Sequence, residues 1–217
     1  MSFLSTVRAL FTAGKGIVVG MPDADAMDDP MALFHSWFKA AGSSGLFMPE
    51  AMALSTSTPD GRPSSRMVLL KTADERGFVF YTNHGSRKGG ELDANPHAAL
   101  LFHWAVLERQ VRVEGRVERV SAEESNEYFQ SRARGSRVGA WASAQSRPLD
   151  DRKTLERAVR ETEKRFEGGD VPLPEHWGGY LVRPARMEFW QGRPFRLHDR
   201  IVFEKKEDVW VTSRLYP

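Results

Sequence analysis

The chain has 217 residues, 41% apolar and 28% charged, which suits one domain with a sizeable core and argues against extensive disorder. Its 31 basic and 29 acidic side chains nearly cancel, so bulk electrostatic binding of nucleic acid is disfavoured and an anionic ligand must be gripped by local clusters. There is no cysteine, which excludes disulfides, thiolate metal sites and a cysteine nucleophile and fits a cytoplasmic protein; no apolar run approaches the roughly 18 residues of a membrane span.

The first 22 residues contain no acid and carry Arg8 and Lys15. An organelle-targeting segment is one reading. A mobile arm over residues 1–25 is favoured, because no cleavage site is evident. Gly14-Lys15-Gly16-Ile17-Val18-Val19-Gly20 has the glycines of a dinucleotide loop, but the sequence shows neither the strand pattern before it nor the helix pattern after it that a βαβ unit needs. Residues 26–217 read as a single domain. Asp28-Asp29-Pro30 caps a helix whose Leu33, Phe34, Trp37 and Phe38 fall at helical spacing. Residues 52–58 predict a strand, Pro59-Asp60-Gly61 a turn, and 67–70 the end of a second strand. After a turn over 74–77, Phe78-Val79-Phe80-Tyr81 predicts a third.

Ser86-Arg87-Lys88 opens a short helix that stops before Asn95-Pro96. Residues 98–106 and 111–120 predict two more strands. In the second, Val111, Val113 and Val117 share one face, with Arg112, Glu114 and Arg116 on the other. Ser121-Ala122-Glu123-Glu124 matches a capping box for a helix running through Tyr128. Residues 150–166 form a charged amphipathic helix ending at Gly168-Gly169, and 179–190, 196–203 and 209–214 complete the strands. About seven short strands, mostly joined by hairpins with helices between, predict a mainly β, antiparallel barrel with flanking helices and not a doubly wound parallel sheet.

There is no His-Glu-x-x-His pattern, Walker loop or Gly-x-Ser-x-Gly elbow, so hydrolytic and metal chemistry have no support, and His35, His97, His103 and His176 read as packing or surface residues. Four constellations remain. On a strand over 196–203, alternation puts Arg196, His198 and Arg200 on one face, either a solvated basic edge or a place where an anion sits. Trp190 and the Gly192 turn upstream shift that choice toward a pocket wall. Tyr128, Arg132 and Ser136 fall at i, i+4 and i+8; if the helix continues past Gly135 they form one row of phosphate donors, and otherwise a solvated face. Ser86-Arg87-Lys88 lies at a helix start, where free N–H groups favour anions. Arg66 and Lys71 have opposite parity and serve one site only if a bulge or the strand end re-aims one of them. At least two oxyanion grips on a nearly neutral chain suit two phosphorylated small molecules.

Arg66-Met67-Val68-Leu69-Leu70-Lys71, Tyr81-Thr82-Asn83, Ser86-Arg87-Lys88, Glu108-Arg109-Gln110-Val111, Gly139-Ala140-Trp141, Gln145-Ser146, Glu188-Phe189-Trp190-Gln191-Gly192, Arg196-Leu197-His198-Asp199-Arg200 and the closing Arg214-Leu215-Tyr216-Pro217 together resemble the pyridoxamine 5′-phosphate oxidase family in order and spacing, from about residue 30 to the end. The resemblance implies an FMN-binding split β-barrel and a homodimer with FMN between its subunits. It implies oxidation of pyridoxamine or pyridoxine 5′-phosphate to pyridoxal 5′-phosphate, with hydride passing from the substrate C4′ to the flavin N5, O2 as acceptor and H2O2 as product. Because the flavin carries that chemistry, no nucleophile or triad is needed.

Carried over by position, Arg66, Met67, Val68, Leu69, Leu70, Lys71, Tyr81, Thr82, Arg87, Lys88, Gln110, Gln145, Ser146, Trp190 and Arg200 would contact FMN, with Arg87 and Lys88 on its phosphate. Lys71, Tyr128, Arg132 and Ser136 would hold the substrate phosphate. Arg196 and His198, the catalytic candidates, would lie over the pyridine ring. The departure is Arg8-Ala9-Leu10-Phe11, which lacks the tyrosine of the family's Arg-x-x-Tyr arm and leaves a lid role open. Two alternatives stand beside this: a phenazine-pathway flavin oxidase with the same scaffold and a similar Arg-Leu-His segment, and a non-catalytic split barrel that binds flavin, haem or nucleic acid. Lys71 and the Tyr128, Arg132, Ser136 row favour the B6 substrate.

Overall fold

The computed structural model describes residue 21 and residues 29–217; the rest of the proposed N-terminal arm, with its glycine-rich and Arg8-Ala9-Leu10-Phe11 segments, lies outside the described residues. The first helix, α1 (Pro30–Ser43), starts where proline and aspartate predict it: Asp29 is the N-cap, its side chain accepting the Met31 N–H. Then come β1 (Ala51–Ser57), β2 (Pro63–Leu69), β3 (Thr72–Asp74), β4 (Gly77–Asn83), α2 (Arg87–Ala94), β5 (His97–Trp104) and β6 (Arg109–Arg119). Helices α3 (Ala122–Ser131), α4 (Arg134–Ala142) and α5 (Arg152–Arg165) precede β7 (Trp177–Gln191), β8 (Asp199–Lys206) and β9 (Val209–Arg214). The N-caps of α2, α3 and α5 are Ser86, Ser121 and Asp151, each accepting a backbone N–H in its first turn.

All strand pairs are antiparallel, in the order β2-β1-β5-β6-β7-β4-β3, with β8 and β9 added beyond β7. The sheet is a half-barrel with flanking helices, as the sequence predicts, though among the described residues it has nine strands in place of about seven. β3 escapes a sequence reading because three residues are too few to show a period. The 15-residue β7 is the hub: its first half pairs with β4 and its second half with β8, while β6 runs along its other side. At the β6–β7 register shift, a Cβ on Gly115 would lie 1.9 Å from the Arg183 carbonyl, so only glycine permits that approach.

The register separates two faces. Leu54, Leu100, Val113, Met187 and Phe203 lie opposite one another across β1, β5, β6, β7 and β8, and all are buried. α1 closes this inner face: the Phe34 ring packs edge-on against Phe78 at 4.8 Å and against Phe102 at 5.1 Å, and Trp37 against Phe189 at 5.4 Å. The next row, Met67, Ala53, Leu101, Arg112 and Glu188, faces the other way, and Met67 is 65% exposed. Among the described residues no helix is long and apolar enough to cross a membrane.

Candidate active site

β2 ends at Leu69, and beyond it the chain leaves the strand so that Lys71 reaches the same cavity as Arg66. The strand end therefore resolves the opposite parity of these two cations. The cavity, about 520 Å³, is lined by Arg66, Met67, Val68, Leu69, Lys71, Tyr81, Thr82, Lys88, Tyr128, Arg132, Ala133, Ser136, Gln145 and Trp177. It gathers most of the candidates from β2, β4, α2, α3 and α4.

At one end sits Lys88, in the first turn of α2 and buried. Its ammonium donates to Thr82 Oγ1 at 3.0 Å, Ser86 Oγ at 3.3 Å and Gln145 Oε1 at 2.9 Å, all neutral oxygens. Burial, and then the Arg66 guanidinium, hold its pKa below the ordinary lysine value. A buried cation with neutral partners at a helix N-terminus is a half-finished ion pair, which an anion would complete.

Arg66 donates to the Leu54 carbonyl at 3.3 Å, to Thr56 and Ser64, and pairs with Glu91 at 3.2 Å. Burial works to raise the Glu91 pKa, but hydrogen bonds from Ser64, Thr56, Arg87 and Arg66 outweigh it and bring it down to about 2, from an ordinary 4.5. A depressed carboxylate pKa stabilises the fold above its unfolded value, and that contribution is lost as pH falls. The protein should thus lose stability between pH 4.5 and about 2, and Glu91→Gln should flatten that slope. Melting temperatures of both proteins at pH 5 and pH 3 check this; equal drops would remove Glu91 from the account of acid sensitivity.

At the other end, Tyr128, Arg132 and Ser136 converge, but not along one helix. α3 stops at Ser131, Arg132 is extended, and α4 begins at Arg134, so the break falls before Gly135. Arg132 lies 4.7 Å over the Trp177 ring, and its Nη1 is buried without a hydrogen-bond partner among the described residues. Burial lowers its pKa. An orphaned guanidinium nitrogen in a cavity wall is a costly feature that an anionic ligand relieves. Tyr81, Tyr128 and Trp177 form an aromatic shelf between the two ends: Tyr81 stacks on Tyr128 at 4.0 Å and on Trp177 at 5.6 Å. Burial, and then Glu124, push the Tyr81 pKa up to about 12, so it stays a phenol. Lys71 Nζ lies 5.9 Å from the Tyr128 ring centre.

Four FMN candidates from the first half of the chain and the α4–α5 loop sit differently. Leu70 belongs to the core. Arg87 is exposed and tied to Glu91 at 2.9 Å. Ser146 is exposed on a left-handed backbone, φ 70°. Gln110 lies on the outer sheet face, opposite Trp190, which in turn lies opposite Arg200.

Gln110, Trp190 and Arg200 are thus a row across β6, β7 and β8, and the His198 ring packs on Trp190 at 4.6 Å. The Arg193 backbone N–H donates to His198 Nδ1 at 3.1 Å, which leaves Nε2 to carry the ring proton. The expected strand over 196–203 needs correction. β8 begins at Asp199, and Phe195 and Arg196 both adopt left-handed backbone, φ 59° and 62°, in a tight turn over Pro194–Arg196. Strand parity therefore does not place Arg196; packing on Trp190, not alternation, unites His198 with the Arg200 row. Two successive left-handed non-glycine residues store strain of the kind that clusters at functional sites.

Trp177, Glu91 and Glu188 are the contributors that sequence reading missed. The spacing of Arg87 and Glu91, i and i+4, was the one local signal for Glu91.

A half-barrel with a cationic, aromatic-lined cavity and an aromatic–basic row on its outer face is the architecture of a split-barrel protein. Family models described as pyridoxamine 5′-phosphate oxidase and as pyridoxine 5′-phosphate oxidase C-terminal dimerisation region match residues 43–166 and 177–217. The chain belongs to the pyridoxamine 5′-phosphate oxidase family. It is 55% identical to a pyridoxine/pyridoxamine 5′-phosphate oxidase of Psychromonas ingrahamii over 217 residues, covering 100% of both chains. It is 57% identical to one of Rubrobacter xylanophilus over 198 residues, 91% of each. Among solved structures, PhzG from Burkholderia lata in complex with tetrahydrophenazine-1-carboxylic acid superposes with a TM-score of 0.88 at 32% identity, covering 93% of this chain and 100% of that one. A pyridoxamine 5′-phosphate oxidase-related, FMN binding protein from Nostoc punctiforme shares the fold, with a TM-score of 0.70 at 17% identity over 87% of this chain and 98% of that one.

Proposed function

We propose that this chain is an FMN-dependent oxidase that converts pyridoxamine or pyridoxine 5′-phosphate to pyridoxal 5′-phosphate, with O2 as acceptor and H2O2 as product, the amine substrate also taking up water and releasing ammonia. The observation that carries this is the two-ended cavity, since cofactor and substrate each bring one phosphate. Lys88, Thr82, Gln145 and Arg66 fit the FMN phosphate, and Arg132, Tyr128, Ser136 and Lys71 the substrate phosphate. FMN, when bound, supplies the hydride acceptor and the route to O2. The chain's own residues bind, orient and shield the reactants. Arg196 and His198 are assigned to the pyridine ring, His198 presenting its Nε2 proton; Trp190, Gln110 and Arg200 are assigned to FMN.

The enzyme works as a homodimer. The cavity opens along β2, while Gln110, Trp190 and Arg200 face outward across β6–β8. Gln110, Trp190 and Arg200 do not line the cavity within one chain, and a second copy can supply them. Exposed Phe47 and Met67, 75% and 65% accessible, give that contact apolar surface. A cytoplasmic setting is part of the proposal and rests on a chain without cysteine.

Similarity to PhzG makes a phenazine precursor the second reading. The grip around Arg132 favours the phosphorylated vitamer over an unphosphorylated tricycle. Oxygen uptake by FMN-loaded protein with pyridoxine 5′-phosphate or with a dihydrophenazine carboxylate separates them. Faster uptake with the vitamer, with a pyridoxal chromophore appearing, is the expected result; turnover of the tricycle alone would overturn the proposal.

A further inference from the structure

Arg200 does not sit freely beside Trp190. Its Nε and Nη2 donate to Glu188 Oε1 at 3.0 and 2.9 Å, and its Nη1 donates to the Tyr216 carbonyl at 3.0 Å. Its own carbonyl accepts the Leu215 N–H at 3.1 Å, so the C-terminal segment is latched to the same residue. We propose that Glu188 is a positioning residue that aims the Arg200 guanidinium at FMN, with the Tyr216 carbonyl as the third point of the clamp. The proposal rests on the assignment of Arg200 to FMN.

An arginine has five N–H donors in a rigid plane. The clamp uses three of them, including Nε, so it fixes the plane and leaves one N–H on each terminal nitrogen for a ligand. Glu188 is only 3% exposed. Its other oxygen accepts Arg186 Nη2 at 3.3 Å and Arg112 Nη1 at 3.5 Å, and both of those arginines also hold Glu114, at 3.1 and 2.9 Å. The carboxylate is therefore pinned from behind by two cations and does not follow Arg200 if that side chain swings. Such a buried network is retained at a desolvation cost, which suits a role in geometry better than one in stability alone.

FMN dissociation constants of the apo protein, read from flavin fluorescence quenching, test this in the wild type, Glu188→Gln, Arg200→Met and the double variant, with apo melting temperatures alongside. Glu188→Gln should weaken FMN binding about tenfold, Arg200→Met at least as much, and the double variant no more than Arg200→Met, because Glu188 acts through Arg200. Wild-type affinity in Glu188→Gln, or losses that multiply in the double variant, would overturn the proposal. Wild-type affinity in Arg200→Met would instead overturn the assignment of Arg200 to FMN. If Glu188→Gln does not fold, the wild type answers: the Arg200 Nε–H resonance, identified by its loss in Arg200→Met, should exchange slowly with water, and rapid exchange contradicts the clamp.

Discussion

Replacing Lys88 with methionine should weaken FMN binding by roughly 30-fold or more, the cost of removing one partner from a buried, hydrogen-bonded charge pair. The apo fold should not suffer. Lys88 is buried among neutral oxygens, and burial already disfavours its charge. A methionine of similar length removes that desolvation cost while filling the space, so the apo melting temperature should hold or rise. The split between the two readouts is diagnostic. A general packing defect would lower the melting temperature and FMN affinity together, and unchanged FMN affinity would remove Lys88 from the phosphate site.

Arg132→Ala should have the complementary effect. Losing one charged hydrogen-bonding partner costs about 1.5–3 kcal/mol, or roughly 10- to 150-fold in affinity. Binding of pyridoxine 5′-phosphate should weaken by that factor while FMN stays bound, because Arg132 is not part of the hydrogen-bonded group around Lys88. Its guanidinium also covers the Trp177 ring, so the alanine variant loses packing as well as charge. Arg132→Lys controls for that: it keeps a cation but not the flat guanidinium, and should recover only part of the affinity. Unchanged substrate affinity in Arg132→Ala would contradict the two-ended assignment.

Much of the fold was legible locally. Strands β1 and β6 follow alternation, β4 is a continuous apolar run buried on both faces, and Asp29, Ser86, Ser121 and Asp151 cap helices where the sequence places helix starts. Three features were not legible. β3 is too short to carry a period. The break at Arg132 leaves no local mark, since neither arginine nor alanine is a helix breaker. The left-handed Phe195 and Arg196 carry side chains that normally avoid that region, so nothing in their identity announces the turn that replaces the start of β8.

The site divides along the same line. Local spacing revealed basic grips but not their partners. Glu91 meets Arg66 across 25 residues, and Glu188 meets Arg112 across 76, so folding alone brings these charges together. The resemblance names the FMN and substrate residues; the structure brings most of them into a cavity set, places Gln110, Trp190 and Arg200 on the outer face, and leaves Leu70, Arg87, Ser146 and Arg196 in neither, and the outer-face set is why a second copy of the chain enters the proposal.

The most direct test of the central claim is the flavin spectrum of purified, FMN-loaded protein under anaerobic conditions. Adding pyridoxine 5′-phosphate should bleach the visible flavin bands, and admitting air should restore them with one H2O2 formed per pyridoxal 5′-phosphate. A spectrum unmoved by the vitamer, in protein that binds FMN, would contradict the oxidase assignment and leave a flavin-binding split barrel in its place.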